Sequence, residues 1–100
     1  MGLFSWLFGP KVDYKDLVSK GAIIIDVRTQ GEFSSGHIKS STNIPLQSLQ
    51  SRLSKIKKDK PVILCCASGA RSGAAKRMLA AKGYECYNGG SWMSLNSKIK

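Results

Sequence analysis

Two adjacent cysteines, Cys65 and Cys66, stand where an apolar run gives way to a loop of small residues. The run at 62–65 reads V-I-L-C, which is typical of a strand buried on both faces of a parallel sheet. The next residues read A-S-G-A-R-S, and a helical pattern follows them. Because ligands of open parallel sheets bind outside the carboxyl ends of the strands, a cysteine at this point is a candidate nucleophile.

The loop after Cys66 is suited to holding an anion. Small side chains let backbone N–H groups turn towards one centre, and Gly69 permits a positive φ. The next helix, expected to begin near Arg71, adds the partial positive charge of its N-terminus. A thiol placed there should have a pKa below the ordinary value of about 8.5 and react as a thiolate. The residues of this candidate anion cradle are Ala67, Ser68, Gly69, Ala70, Arg71 and Ser72.

Of the three cysteines, Cys66 is the best candidate for the nucleophile. It directly precedes the loop, whereas strand alternation turns Cys65 to the opposite face, where we expect it to pack as an apolar residue. Cys86 is also expected in the core. The chain has no C-x-x-C pair, an odd cysteine count and a single histidine, which argues against a metal site and a disulfide framework. Free thiols fit a reducing compartment, so we expect a cytoplasmic protein.

The elements around the loop alternate between strands and helices. With 100 residues, 42% hydrophobic and 22% charged, the chain has the composition of one globular domain. Alternating elements predict an α/β fold with a central, mainly parallel sheet flanked by helices on both faces. The predicted elements are helix 13–20, strand 22–27, a short helix or turn at 29–35, strand 42–44, helix 46–56, strand 62–65, a helix through 74–79, strand 84–87, a turn at 88–90 and helix 91–97.

Sixteen lysines and arginines against six acidic residues give a net charge of +10. Such a surface attracts anions, but lysines spread along the chain also serve simply as solubilising residues. The densest cluster, at 55–60, has no interleaved aromatic residues. We therefore expect no nucleic-acid stacking surface there.

The first ten residues, M-G-L-F-S-W-L-F-G-P, form a separate apolar segment before the domain expected at 11–100. The segment is too short to cross a bilayer and lacks the basic start of a secretory signal. Two interpretations stand: a short helix packed on the domain, or a segment that contacts a membrane surface or a partner, anchored by Trp6. The apolar contacts of the second interpretation would come from Leu3, Phe4, Trp6, Leu7 and Phe8.

Four motifs then suggest a family. They are D-V-R at 26–28 followed by Glu32, G-H-I at 36–38 leading to N-I-P at 43–45, C-A-S-G-A-R-S at 66–72, and Y-N-G-G-S-W at 87–92. In this order they resemble the single-domain rhodaneses, the thiosulfate sulfurtransferases, over residues 12–95. The stretch at 39–41 departs from the Pro-Gly-Ala that the family often has, but it lies in a connection rather than in the cradle.

The resemblance implies a sulfurtransferase. Cys66 would take the outer sulfur of thiosulfate or a persulfide donor, become a persulfide, and pass the sulfur to a thiol or cyanide. Backbone N–H groups of residues 67–71 would stabilise the sulfur, with no cofactor and no metal. Arg71 would either bind the oxyanion of the donor or fix the loop through carboxylates.

The resemblance also suggests supporting roles for other residues. Asp26, Arg28 and Glu32 are expected to brace the loop or to form structural contacts, such as a salt bridge between the first two. The G-H-I histidine, His37, is expected to be structural. Trp92 is expected in the core.

Three alternatives remain open at this point. Phosphatases that resemble this family place five residues between cysteine and arginine, whereas four separate Cys66 from Arg71. Non-catalytic binding modules of the same fold usually lack the cysteine. A relay module would instead accept sulfur from a desulfurase and hand it to a protein or tRNA-modifying partner.

Overall fold

The computed structural model describes residues 11–100. The apolar segment 1–10 lies outside the described residues, so both interpretations of it stay predictions. Within residues 11–100, no helix combines the length and the apolar character that crossing a bilayer requires.

The described chain contains one four-stranded sheet in the order β2-β1-β3-β4, and every pairing in it is parallel. Parallel pairing brings the carboxyl ends of neighbouring strands to the same edge, so Asp26 at the end of β1 pairs with Cys65 near the end of β3. The strands are β1 Ile23–Asp26, β2 Thr42–Asn43, β3 Val62–Cys66 and β4 Cys86–Ser91.

Helices cover both faces of the sheet, as the alternation of elements predicts. Two of them, α1 and α5, pack on one face around the buried Leu95, and α3 and α4 pack on the other around Leu49 and Leu79. The α/β class and the parallel sheet are thus confirmed. The helices are α1 Tyr14–Ser19, α2 Gln30–Ser34, α3 Leu46–Leu49, α4 Ala70–Ala81 and α5 Trp92–Ile99, with a 3₁₀ helix at Gln50–Lys55.

All five residues of β3 are buried, and they divide between the two faces. Val62, Leu64 and Cys66 belong to the core beneath α4, whereas Ile63 and Cys65 belong to the core beneath α5. This is the period-2 alternation of a central strand, and it turns the two adjacent cysteines in opposite directions, as expected.

The helix predicted over 46–56 is wrong in type. Only 46–49 is α-helical; a 3₁₀ helix follows, and Ile56 already has extended dihedral angles. A 3₁₀ helix has three residues per turn, so Leu49, Leu53 and Ile56 still contact the core although the winding has tightened. Apolar spacing of three and four residues fits either helix type, and the sequence pattern therefore could not distinguish them.

The last strand and turn were also predicted wrongly. Residues 88–90 lie within β4 rather than in a turn, and Tyr84 precedes the strand, with its hydroxyl donating to the Ile56 carbonyl at 2.6 Å. Leu64 pairs with Asn88 and the next residue, Cys65, pairs with Gly90, so Gly89 is the extra residue of a bulge. A Cβ at Gly89 would lie 2.9 Å from Leu95 Cδ2 and 3.1 Å from the Leu64 carbonyl oxygen. Close packing, not a turn, requires this glycine.

Candidate active site

The loop between β3 and α4 folds back on the sulfur of Cys66. Helix α4 begins at Ala70, and its N-cap, Gly69, has φ of 105°, a left-handed conformation that glycine adopts without strain. This conformation directs the Gly69 N–H at Cys66 Sγ, 3.0 Å away, and the Ser72 N–H lies 3.3 Å from the same atom. The sulfur therefore sits on the N-terminal turn of a twelve-residue helix.

The structure brings the predicted cradle residues together but gives them different positions. Ala67, Ser68 and Ala70 form the exposed rim of the loop, and Gly69 contributes its N–H to the sulfur. Ser72 is fully buried and offers both its N–H and its hydroxyl, whose oxygen lies 3.3 Å from Cys66 Sγ. The expectation had placed the N–H donors at 67–71, one residue short of Ser72.

Two opposing effects set the pKa of Cys66. Burial raises it, whereas hydrogen bonds from the Ser72 hydroxyl and from the N–H groups of Ser72, Gly69 and Ser68 lower it. The hydrogen bonds prevail, so the pKa of the Cys66 thiol lies below its ordinary value. Charge-assisted hydrogen bonds and the helix N-terminus favour the thiolate for the same reason.

Asn88 completes the loop and was missed in the sequence, where it was assigned to a turn. Its side-chain nitrogen donates to the Gly69 carbonyl at 3.1 Å, and its side-chain oxygen accepts from the Ser72 hydroxyl at 2.6 Å. The Tyr14 hydroxyl donates to the Asn88 main-chain carbonyl at 3.0 Å. Only the pairing of β4 with β3 brings Asn88 to the loop, and the sequence signal for it was its position just before two glycines.

Arg71 pairs with Glu32. The two Nη atoms lie 2.7 and 2.9 Å from the two carboxylate oxygens, a bidentate pair between α4 and α2. Hydrogen bonds from Arg71 and then from Thr29 lower the pKa of Glu32 to about 2. Of the two roles considered for Arg71, the structure contains the contact that fixes the loop through a carboxylate.

Asp26 and Arg28 form a buried ion pair at the end of β1. Arg28 Nη2 lies 2.7 Å from Asp26 Oδ2, and the side chains are 5% and 0% exposed. The hydrogen bond to Asp26 raises the pKa of the arginine. Arg28 also donates to the carbonyls of Glu32 and Gly36, so it anchors both ends of the segment that carries Glu32. These two residues therefore support the loop at a distance, through Glu32 and Arg71.

The remaining candidates, His37 and Trp92, contact side chains other than Cys66. His37 is exposed, stacks on Phe33 with ring centroids 3.7 Å apart, and bonds the Phe33 carbonyl through Nδ1 at 2.7 Å. Trp92 is half-buried, and the Arg28 guanidinium lies 4.9 Å from the centre of its ring. Both contacts are structural.

The other two cysteines are in surroundings that disfavour a thiolate. Burial raises the pKa of Cys65 to about 12. Cys86 is half-buried, its thiol donates to the Lys76 carbonyl at 3.4 Å, and burial raises its pKa too. Among residues 11–100, no three His, Cys, Asp or Glu side chains are grouped to hold a metal ion.

Comparisons with known proteins agree with this geometry. A family model described as "Rhodanese-like domain" matches residues 11–94. The chain is 44% identical over 81 residues to the uncharacterized protein YqhL of Bacillus subtilis, covering 79% of this chain and 64% of that protein. It is 33% identical over 70 residues to the thiosulfate sulfurtransferase GlpE of Ectopseudomonas mendocina, covering 70% and 64%. The chain thus spans less than two thirds of either relative.

Solved structures give the same result. A structure described as a rhodanese with anions from E. coli superimposes with a TM-score of 0.69 at 30% identity, covering 74% of this chain and 91% of that one. The family model spans nearly all the described residues. The chain therefore belongs to the rhodanese-like domain family.

Proposed function

We propose that the protein is a sulfurtransferase that carries sulfane sulfur as a persulfide on Cys66. The donor would be thiosulfate or a persulfide, and the acceptor a thiol or cyanide. The observation that carries this proposal is the contact of Cys66 Sγ with two backbone N–H groups, those of Gly69 and Ser72, at a helix N-terminus. The same contacts lower the pKa of the thiol, which makes it a nucleophile near neutral pH.

In the first step, the Cys66 thiolate attacks the outer sulfur of the donor. A bond forms between Sγ and that sulfur. The sulfur–sulfur bond of thiosulfate breaks, and sulfite leaves with the electron pair of that bond. The outer sulfur then lies within the loop, where free N–H groups and the helix N-terminus favour negative charge. In the second step, an acceptor thiolate or cyanide attacks the outer sulfur, and Cys66 leaves as the thiolate. Neither step needs a cofactor or an outside oxidant.

A cavity of about 280 Å³ is lined in part by Arg71, in the first turn of α4. Its volume is near the lower end of typical ligand pockets, about 300 to 1,000 Å³, and Cys66 is not among the residues that line it. Arg71, whose charge is paired with Glu32, lies in this lining. The anions named for the E. coli structure support an anionic donor for this protein. The residues that line the cavity are Val27, Thr29, Pro45, Leu46, Gln47 and Arg71.

The alternatives fit less well. Four residues between Cys66 and Arg71 make a shorter loop than the phosphatases have, and both Arg71 Nη atoms already hydrogen-bond the carboxylate of Glu32. A relay module that accepts persulfide sulfur from a protein would use the same Cys66 chemistry and would differ only in its partners. A cytoplasmic location belongs to the proposal too, because all three cysteines are free.

The test is an assay of sulfur transfer from thiosulfate to cyanide, in which the amount of thiocyanate formed is measured. Cys66→Ser should abolish the reaction. The matched control is Cys65→Ser, the same substitution one residue earlier on the opposite face of β3, which should retain most of it. Equal activity in the wild type, Cys66→Ser and Cys65→Ser would overturn the assignment of Cys66. If none of the three is active with thiosulfate, the assay is repeated with a persulfide as the donor. Inactivity of the wild type with that donor as well would overturn the proposed function.

A further inference from the structure

The Ser72 hydroxyl lies between two acceptors but has one hydrogen to give. Its oxygen is 2.6 Å from Asn88 Oδ1 and 3.3 Å from Cys66 Sγ. Ser72 is fully buried, so no water competes for the hydroxyl in this arrangement. A serine hydroxyl is one donor with two acceptor lone pairs. It cannot donate to the amide and to the sulfur at the same time.

The orientation of the Asn88 amide is fixed by its other contacts. Its nitrogen faces the Gly69 carbonyl, which can only accept, and its oxygen faces the Gly90 N–H at 3.0 Å, which can only donate. Asn88 Oδ1 therefore accepts the hydrogen of Ser72. If that hydrogen turns to the sulfur, Asn88 Oδ1 keeps the Gly90 N–H as its donor. The oxygens of Ser72 and Asn88, 2.6 Å apart with the hydrogen between them, must then move apart.

We propose that Asn88 is a positioning residue that holds the Ser72 hydroxyl hydrogen while the sulfur of Cys66 is uncharged, and yields it when the sulfur becomes a thiolate. In the uncharged state, the thiol S–H donates to Ser72 Oγ and the hydroxyl donates to Asn88 Oδ1. In the charged state, the hydroxyl donates to the thiolate and Asn88 keeps the Gly90 N–H. Between the two states the Cys66 thiol loses its proton, the hydrogen bond between Ser72 and Cys66 reverses its direction, and the bond from Ser72 to Asn88 is given up.

This assignment rests on the proposed function for its role in catalysis. A persulfide carries little charge on Sγ, so the hydroxyl returns to Asn88 while the outer sulfur is bound. When an acceptor takes that sulfur, Sγ gains negative charge, and the hydroxyl can donate to it. The donation therefore stabilises the leaving thiolate more than the persulfide ground state, which is the condition for acceleration.

The geometry makes Asn88 a competitor of the thiolate. Without the Asn88 side-chain oxygen, the Ser72 hydroxyl can donate only to the thiolate, so the pKa of Cys66 should fall. Without the Ser72 hydroxyl, the pKa of Cys66 should rise. If Asn88 only holds the loop in shape, its removal should instead raise the pKa of Cys66. The loss of its bond to the Gly69 carbonyl would then displace the N–H groups of Gly69 and Ser72 from the sulfur. The charged groups on neighbouring elements are the Arg71–Glu32 and Asp26–Arg28 pairs, together with the Cys65 thiol, and none of them changes in this comparison.

The test is titration of the lowest-pKa thiolate by its ultraviolet absorbance, which needs no sulfur donor. Asn88→Leu, which keeps the number and branching of the side-chain heavy atoms, should increase the thiolate fraction at a fixed pH below the midpoint about threefold to tenfold, and Ser72→Ala should decrease it. The double variant should match Ser72→Ala, because Asn88 acts through Ser72. Tyr14→Phe, which removes only the bond to the Asn88 main chain, should leave the titration unchanged.

A raised or unchanged midpoint in Asn88→Leu would overturn the proposal, and so would a double variant that differs from Ser72→Ala. Should Asn88→Leu not fold, Asn88→Ala is titrated in its place with the same expectations. If the midpoints rise in the order Asn88→Leu, wild type, Ser72→Ala but no sulfur is transferred, the proposed function is refuted and the assignment of Asn88 stands.

Discussion

Arg71 and Glu32 lie 39 positions apart in the chain, yet their side chains form a bidentate ion pair that joins α2 to the first turn of α4. Arg28 holds Glu32 in place, because it donates to the main-chain carbonyl of Glu32 and is itself paired with Asp26. A line of contacts therefore runs from the end of β1 to the first turn of α4. The sequence motif D-V-R followed by Glu32 acts on the loop through this line and not by touching Cys66.

The Arg71–Glu32 pair should make stability depend on pH in the acidic range. The folded-state pKa of Glu32, about 2, is below the unfolded value of about 4.3, so its contribution is present above the unfolded pKa and is lost as pH falls towards 2. Urea unfolding of the wild type and Glu32→Gln should differ most near pH 6 and converge only as the pH falls to about 2. In an Arg71→Met background the difference should shrink at every pH. A gap that widens with acid would contradict this account.

The buried Asp26–Arg28 pair should matter far more for stability. Asp26→Ala leaves the arginine buried without its counter-charge, and we expect a loss of about 3 to 5 kcal/mol in the free energy of unfolding. The matched control is Asp16→Ala, which breaks an exposed pair with Lys20 at 3.0 Å and should cost under about 1 kcal/mol. Urea denaturation measures both. Similar losses in the two variants would show that burial of the first pair is not decisive.

Gly89→Ala tests the bulge in β4. The added methyl would meet a backbone oxygen and two core side chains within about 3 Å, so we expect destabilisation of about 1 to 3 kcal/mol. Gly31→Ala is the control, because a Cβ there meets nothing within 4 Å and alanine favours helix α2, giving a gain of up to about 1 kcal/mol. The melting temperatures of Gly89→Ala and Gly31→Ala, each compared with that of the wild type, measure both effects. A neutral Gly89→Ala would mean that β4 is less closely packed than described.

The three cysteines should react with iodoacetamide in a definite order. Near neutral pH, Cys66 should be modified first, because its pKa is lowered by loop hydrogen bonds, whereas burial raises the pKa of the other two. Mass mapping of peptides after a brief exposure reads the order directly. Faster modification of the half-buried Cys86 would indicate that exposure rather than thiolate character controls reactivity.

The sequence was sufficient to predict the α/β class and the parallel sheet, because the buried strands are short apolar runs rich in β-branched residues. The position of Cys66 before a loop of small residues indicated where a site would form. Opposite facing of Cys65 and Cys66 followed from strand alternation alone. These features depend on local pattern, which a single sequence carries.

What was missed depends on contacts between distant segments. Asn88 reaches the loop only because a bulge sets the register of β4 against β3, and an Asn-Gly-Gly stretch is as typical of turns as of such a bulge. The choice of Glu32 as the partner of Arg71 likewise depends on how α2 packs. Within the predicted helix at 46–56, apolar spacing could not distinguish α from 3₁₀ winding.

The mass of the intact protein after incubation with thiosulfate shows whether Cys66 carries sulfur. We expect the wild type and Cys65→Ser each to gain one sulfur atom, cyanide to remove it, and Cys66→Ser to gain none. Digestion should place the added sulfur on the peptide that contains Cys66. A sulfur gained equally by Cys66→Ser, or found at Cys86, would contradict the assignment of Cys66 as the sulfur carrier.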